Sequence, residues 1–146
     1  MTDFFTRPVW PVRSIDGDTS DWLEDNGRRE YAVRRDRDLG INTPEMHATD
    51  PEVRAKAVEA KQFREAWLIE HVAHNTATLK WPKLRENDFG QTAMLLWAEY
   101  VAVPYFVLHS EKPDSFDRWL STIECQAGHS LQQALLDAGL AVPFAG

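Results

Sequence analysis

Cysteine is almost absent from this chain: Cys125 is the single one. An internal disulfide is therefore impossible and a cysteine-rich zinc site is excluded. A buried, inert thiol is the default expectation for Cys125. Long apolar runs are missing as well. No stretch of about 18 apolar residues exists, so no membrane-spanning helix is expected. Met1 to Arg7 lacks the apolar core of a signal peptide, so the expectation is a cytoplasmic protein. Basic charge is scarce: 16 Lys and Arg stand against 23 Asp and Glu, a net charge of −7. That argues against tight nonspecific binding to long nucleic acid, which depends on neutralising phosphates. It does not exclude a nuclease in which a metal ion and a few local arginines supply positive charge. Repeats, low-complexity tracts and linkers are also lacking, and 146 residues fit one domain, 1–146.

What is present suits a globular protein: 43% hydrophobic and 27% charged residues, with six tryptophans as large anchors. Pro8 to Ile15 reads as a first strand, followed by the acidic turn Asp16-Gly17-Asp18-Thr19. Asn26-Gly27 marks a hairpin turn. Arg28 to Ile41 reads as the returning strand, with Tyr31, Val33, Leu39 and Ile41 on one alternating face. Asp36 and Asp38 fall on the other face, either exposed and offset by Arg34, Arg35 and Arg37 or part of a polar site.

A long helix comes next. Asp50 suits its N-cap, Pro51 its first turn and Glu52 its dipole. Val53, Ala57, Ala60, Phe63 and Trp67 recur at helical spacing and read as a core stripe, and the helix is expected to end near His74-Asn75. Residues 76–100 read as an insertion, with a short helix over Asp88 to Tyr100. Val101 to His109 reads as a strand that Pro104 makes bulged or peripheral. Arg118 to Glu124 reads as another. Ser130 caps a last helix from Leu131 to Ala138, with Gly139 as its C-terminal glycine. The expected fold is mainly β with α: a five-stranded OB-type barrel, a long helix after strand 3 and a C-terminal helix.

Three segments carry chemistry. In Asp16-Gly17-Asp18-Thr19, two carboxylates flank a glycine, so the turn can hold a hard cation through oxygen ligands; alone it reads first as a plain turn, since Asp-Gly turns are common. In Arg37 to Glu45, a strand feeds a Pro-stiffened loop presenting Asn42 and Glu45. A carboxylate there can orient a water for attack, and Arg37 is within reach of the same pocket. In Phe116-Asp117-Arg118, an arginine opens a strand, and its guanidinium fork can grip a phosphate. His71 and His74, three apart on the helix, read as a solvated helix end rather than a metal pair. His47 reads equally as a loop histidine or a pocket-bordering one.

The order and spacing of these segments resemble the staphylococcal nuclease (thermonuclease) family. Its pattern is an Asp-Gly-Asp-Thr turn, Arg-x4-Asp-Thr-Pro-Glu, a long helix, Tyr-Gly-Arg and a closing helix ending in Gly-Leu-Ala. This sequence has Asp16-Gly17-Asp18-Thr19, Arg37 to Glu45, Phe116-Asp117-Arg118 and Leu135 to Ala141 in that order, spanning about residues 8 to 144. The resemblance implies calcium-dependent hydrolysis of DNA or RNA. Asp18 and the Thr43 carbonyl match metal ligands, Glu45 the residue near the attacking water, and Arg37 and Arg118 the phosphate-binding arginines. Asn42 stands where the family's second metal carboxylate is usual. Asp117 replaces a glycine, and Phe116 replaces a tyrosine. Phe89-Gly90-Gln91 offers a second alignment of the arginine motif, in which Gln91 would mean the arginine is lost. These departures support an alternative: a catalytically impaired binding module, with the Trp- and Leu-rich inserted segment covering the cleft or docking a protein partner. A metal-free oligonucleotide-binding barrel is a third reading, disfavoured by the acidic balance.

Overall fold

The computed structural model describes residues 5–28, 30–72, 106–113 and 119–144. The readings made for the inserted segment, Pro104, His74 and the Phe116-Asp117-Arg118 motif lie outside these residues. The described chain builds a closed five-stranded barrel of OB type, in the order β1-β2-β3-β6-β5, with two helices.

Strand β1 (Phe5–Asp16) turns through Gly17-Asp18 into β2 (Thr19–Asp25), with Asp16 paired to Thr19. The next turn uses left-handed backbone at Gly27 (φ +83°) and also at Arg28 (φ +56°). The Asp25 carboxylate accepts the Gly27 N–H at 2.9 Å, an Asx-type closure. Strand β3 (Tyr31–Asp38) then runs back along β2, with Thr19 opposite Arg37 and Ser20 opposite Asp36. The expected single strand to Ile41 is broken: Gly40 (φ +82°) turns the chain, and Ile41–Asn42 forms a separate short strand, β4. As a result Ile41 joins the main core, whereas Tyr31 and Val33 pack on a different cluster.

Helix α1 (Pro51–Val72) starts as expected, with the Asp50 carboxylate accepting the Glu52 N–H at 2.9 Å. Its buried face is Ala57, Ala60, Trp67 and Leu68, with Phe63 packed alongside, and it also contains Arg64. Strand β5 (Phe106–Pro113) runs four residues past its expected end at His109; its partners are β1 and β6 (Trp119–Glu124). Strand β6 closes the barrel by pairing parallel to β3, Asp38 opposite Ser121. Helix α2 (Leu131–Asp137) is capped by Ser130, whose Oγ accepts the Gln133 N–H at 3.2 Å. Beyond it the Leu140 N–H reaches the Leu135 carbonyl and the Gly139 N–H the Leu136 carbonyl, both at 3.0 Å, a Schellman ending with Gly139 left-handed. Strand β7 (Val142–Pro143) pairs with β4, Asn42 opposite Val142.

Side chains alternate across each strand, and the two faces of β2 have different company. Trp22 sits in the main core with Val9, Phe106, Leu108 and Ile123, its ring edge-on to Phe106 at 6.2 Å between centroids. Leu23 packs with Trp10 and Val12 in the second cluster. Near it Asp21, almost fully buried, is held by Arg35 at 2.8 Å and Arg13 at 3.3 Å. Asp36 and Asp38 share the Trp22 face and are 2% and 1% exposed, so they are buried groups rather than surface charges. Cys125 is buried, as expected. No described helix is long and apolar enough to cross a membrane.

Candidate active site

The site is assembled where the β1–β2 turn, the end of β3, and β4 with its following loop meet. Each contributes a residue named by the sequence reading. The turn presents Asp18, β3 presents Arg37, β4 presents Asn42, and the loop begins with Thr43.

Asp18 is the hub. Its Oδ2 accepts the Thr43 N–H at 3.2 Å and the Arg37 Nη2–H at 3.5 Å, and its Oδ1 accepts the Thr19 hydroxyl at 3.2 Å. Arg37 extends the cluster by donating from Nη2 to Asn42 Oδ1 at 3.0 Å. Its guanidinium also lies 5.2 Å from the Phe144 ring centre, a cation–π contact. The Phe144 N–H bonds the Gly40 carbonyl at 2.9 Å, so the chain after β7 forms one wall beside Arg37. Asn42 is exposed and Thr43 is buried.

The turn is locally determined. Asp16 Oδ1 accepts the Asp18 N–H at 3.1 Å, which folds the carboxylate pair onto one side. Gly17 is required for close approach: a Cβ there would meet Ala60 Cβ at 2.8 Å and Thr43 Oγ1 at 2.8 Å. Burial and then the adjacent Asp18 carboxyl push Asp16 up to about 6. Burial also opposes the charge on Asp18. Hydrogen bonding to Asp16, the Thr43 amide and the Arg37 charge outweigh it, so Asp18 is held below the usual carboxylate range.

Glu45 is exposed at the start of a turn, its carbonyl accepting the Ala48 N–H at 3.3 Å. It sits two residues beyond Thr43, on the same loop, and faces solvent rather than the Asp18–Arg37 cluster's hydrogen bonds. Arg118 lies outside the described residues, directly before Trp119 of β6; Trp119 pairs with Asp36, the residue before Arg37. His47 is exposed in the same loop. His71 departs from the solvated reading: it stacks on Trp67 at 4.1 Å and bonds the Trp67 carbonyl at 2.8 Å.

Among the described residues, no three His, Cys, Asp or Glu side chains converge as a metal site. The oxygens available here are of mixed kind: the Asp16 and Asp18 carboxylates, the Asn42 amide and the Thr43 carbonyl. All are hard donors, the class that calcium takes, with water completing its shell. Their chemistry therefore fits calcium and does not fit a soft metal.

Sequence reasoning passed over Arg64. It is fully buried, and its Nη1 and Nη2 grip both oxygens of Asp38, the Nη2–Oδ1 bond at 2.9 Å. Its Nε donates to Ser20 Oγ at 2.6 Å and its Nη1 also to the Gly17 carbonyl at 3.2 Å. The available signal was position: Arg64 falls on the stripe of Ala57, Ala60 and Trp67, where a charge needs a buried partner. Asp38 is thus a partner to Arg64 rather than an exposed charge offset by the β3 arginines. Burial pushes its carboxyl upward, with Arg64 the main opposing influence. No protein-family model matches this chain, and neither does any curated protein sequence.

Proposed function

We propose that this chain hydrolyses phosphodiester bonds of DNA or RNA with the help of calcium. The observation that carries the reading is the joining of Arg37 to Asp18 and Asn42 at 3.5 and 3.0 Å. A phosphate-binding cation and an oxygen-donor set share one small cluster, and residue order along the chain follows the thermonuclease pattern.

Asp18, Asn42 and the Thr43 carbonyl would hold the metal, with Asp16 as a neighbouring carboxylate. Bound calcium supplies charge to polarise the phosphate and lower the pKa of water. Arg37 binds a non-bridging phosphate oxygen and stabilises the charge that grows there. Arg118 is assigned the same task. Glu45, exposed on the loop after β4, orients the attacking water and takes its proton. Phe144 limits the directions open to the Arg37 fork.

The alternative is a binding module of the same fold that takes nucleic acid or a protein but has lost efficient catalysis. Two observations favour it: Asn42 brings no charge to the metal, and among the described residues no three His, Cys, Asp or Glu side chains converge. The test is cleavage of single-stranded DNA and of RNA, with calcium or with a chelator, by the wild type and Glu45→Gln. Calcium-dependent cleavage that is lost in Glu45→Gln is the expected result. Binding without cleavage under calcium, magnesium and manganese establishes the module instead.

A further inference from the structure

The carboxylate turn is fastened from behind. Helix α1 sends Arg64 into the barrel, where one guanidinium meets three acceptors on three different segments: Asp38 at the end of β3, Ser20 at the start of β2 and the Gly17 carbonyl inside the turn. Two further contacts complete the junction. The Asp38 N–H donates to the Asp18 carbonyl at 2.7 Å, and Gly17 packs so closely on Ala60 and Thr43 that no side chain fits. Ala60 and Arg64 lie one helical turn apart, so a single face of α1 sets both the depth and the angle of the turn.

We infer that Arg64 is a positioning residue, which through Asp38 and the Gly17 carbonyl holds Asp18 against the Thr43 amide. The geometric part stands on these contacts, and its catalytic meaning rests on the calcium reading above. A planar fork is needed because the acceptors are spread around it. A lysine ammonium has three donors on one atom and cannot span Ser20, Gly17 and both Asp38 oxygens. The pair is also a poor choice for stability alone. Removing two charges from water costs much of what their attraction returns, and apolar replacements of similar volume are often neutral or stabilising.

That last point separates positioning from simple structure. Arg64→Met alone strands the Asp38 carboxylate and is expected to unfold or melt early, so the informative protein is the double variant Arg64→Met/Asp38→Leu. It is expected to fold with a midpoint at or above that of the wild type. Two measurements are then made on the full chain. Amide hydrogen exchange at Asp18 and Thr43 is expected to quicken by about tenfold, as local opening of the turn, while β1, β2 and β5 stay protected. Calcium affinity by calorimetry is expected to fall by about tenfold or more, the usual cost of losing a group that orients a ligand. Arg64→Lys is expected to share both defects. A folded double variant with wild-type exchange at Asp18 and Thr43 overturns the inference. Quickened exchange in a protein whose wild type binds no calcium upholds the positioning role and overturns the calcium reading instead.

Discussion

At the scale of single residues, the site depends on charges placed a few ångströms apart. Arg37 touches Asp18, Asn42 and Phe144 at once, so its loss is not a simple deletion of one bond. Arg37→Ala is expected to lower kcat/KM by roughly a hundredfold or more, the scale of removing one preorganised stabiliser of transition-state charge. Steady-state cleavage of a short single-stranded substrate checks it. Asn42→Asp restores a negative oxygen beside Asp18 and is expected to tighten calcium by about tenfold, since charge count tunes such sites; unchanged affinity by calorimetry would remove Asn42 from the ligand set. Asp18, Arg37, Asn42 and Thr43 were named from the sequence because they lie in two short segments whose order and spacing resemble the thermonuclease pattern; Thr43 was named through that resemblance alone. Arg64 was not legible, because a lone arginine on a helix reads as a solvent-facing charge. Its partner Asp38 lies far away in sequence, and Asp38 itself looked like one more charge in an Arg-Asp run.

At the scale of elements, turns and caps followed their residues closely, and strand ends did not. Ser130 and Gly139 bound α2 as their chemistry requires. Ser130→Ala is expected to cost about 1 kcal/mol, read from the urea midpoint, with activity little changed. Gly17→Ala is a harsher test. Its Cβ would press on Ala60 and Thr43 at 2.8 Å, so a loss of about 1–3 kcal/mol is expected, together with weaker calcium binding. The division of β3 from β4 was missed because the alternation of Tyr31, Val33, Leu39 and Ile41 continues through Gly40. A left-handed glycine interrupts the ladder without interrupting the pattern. Likewise, β5 was ended early, at His109, because Ser110-Glu111-Lys112 is polar enough to read as a loop.

The whole molecule carries an unusual number of acids on the inside, and this sets its response to pH. Glu24 is pushed up to about 7, first by burial and then by Asp36; Arg34 and Arg7 oppose the shift. Asp36 is also pushed up to about 7, first by burial, with Ser121 opposing and Asp38 adding repulsion. Each binds a proton more tightly folded than unfolded. The stability they confer is therefore complete below their ordinary values of 4.5 and 3.8 and is lost as pH rises toward about 7. At about 1.4 kcal/mol per unit, they contribute on the order of 3 kcal/mol for Glu24 and about 4 kcal/mol for Asp36. Asp18, held low, acts in the opposite sense and weakens the fold only when the pH drops into the acid range. The melting temperature is expected to fall between about pH 4 and 7 and to level off above, and Asp36→Asn is expected to flatten that slope and to melt higher at about pH 8. A slope unaffected by that substitution would assign the effect to other groups.

The pairing of β4 with β7 has a consequence for synthesis. Arg37 and Asn42 emerge from the ribosome well before Val142 and Phe144, which finish their setting. Strand β6 must likewise arrive before β3 has its parallel neighbour. Contacts so distant along the chain form late and slowly. A nascent chain thus holds the acidic turn and its arginine, while the intervening sequence is made, without the wall that orients them. Whatever chemistry the cluster performs is withheld until β7 and Phe144 have been made and have docked.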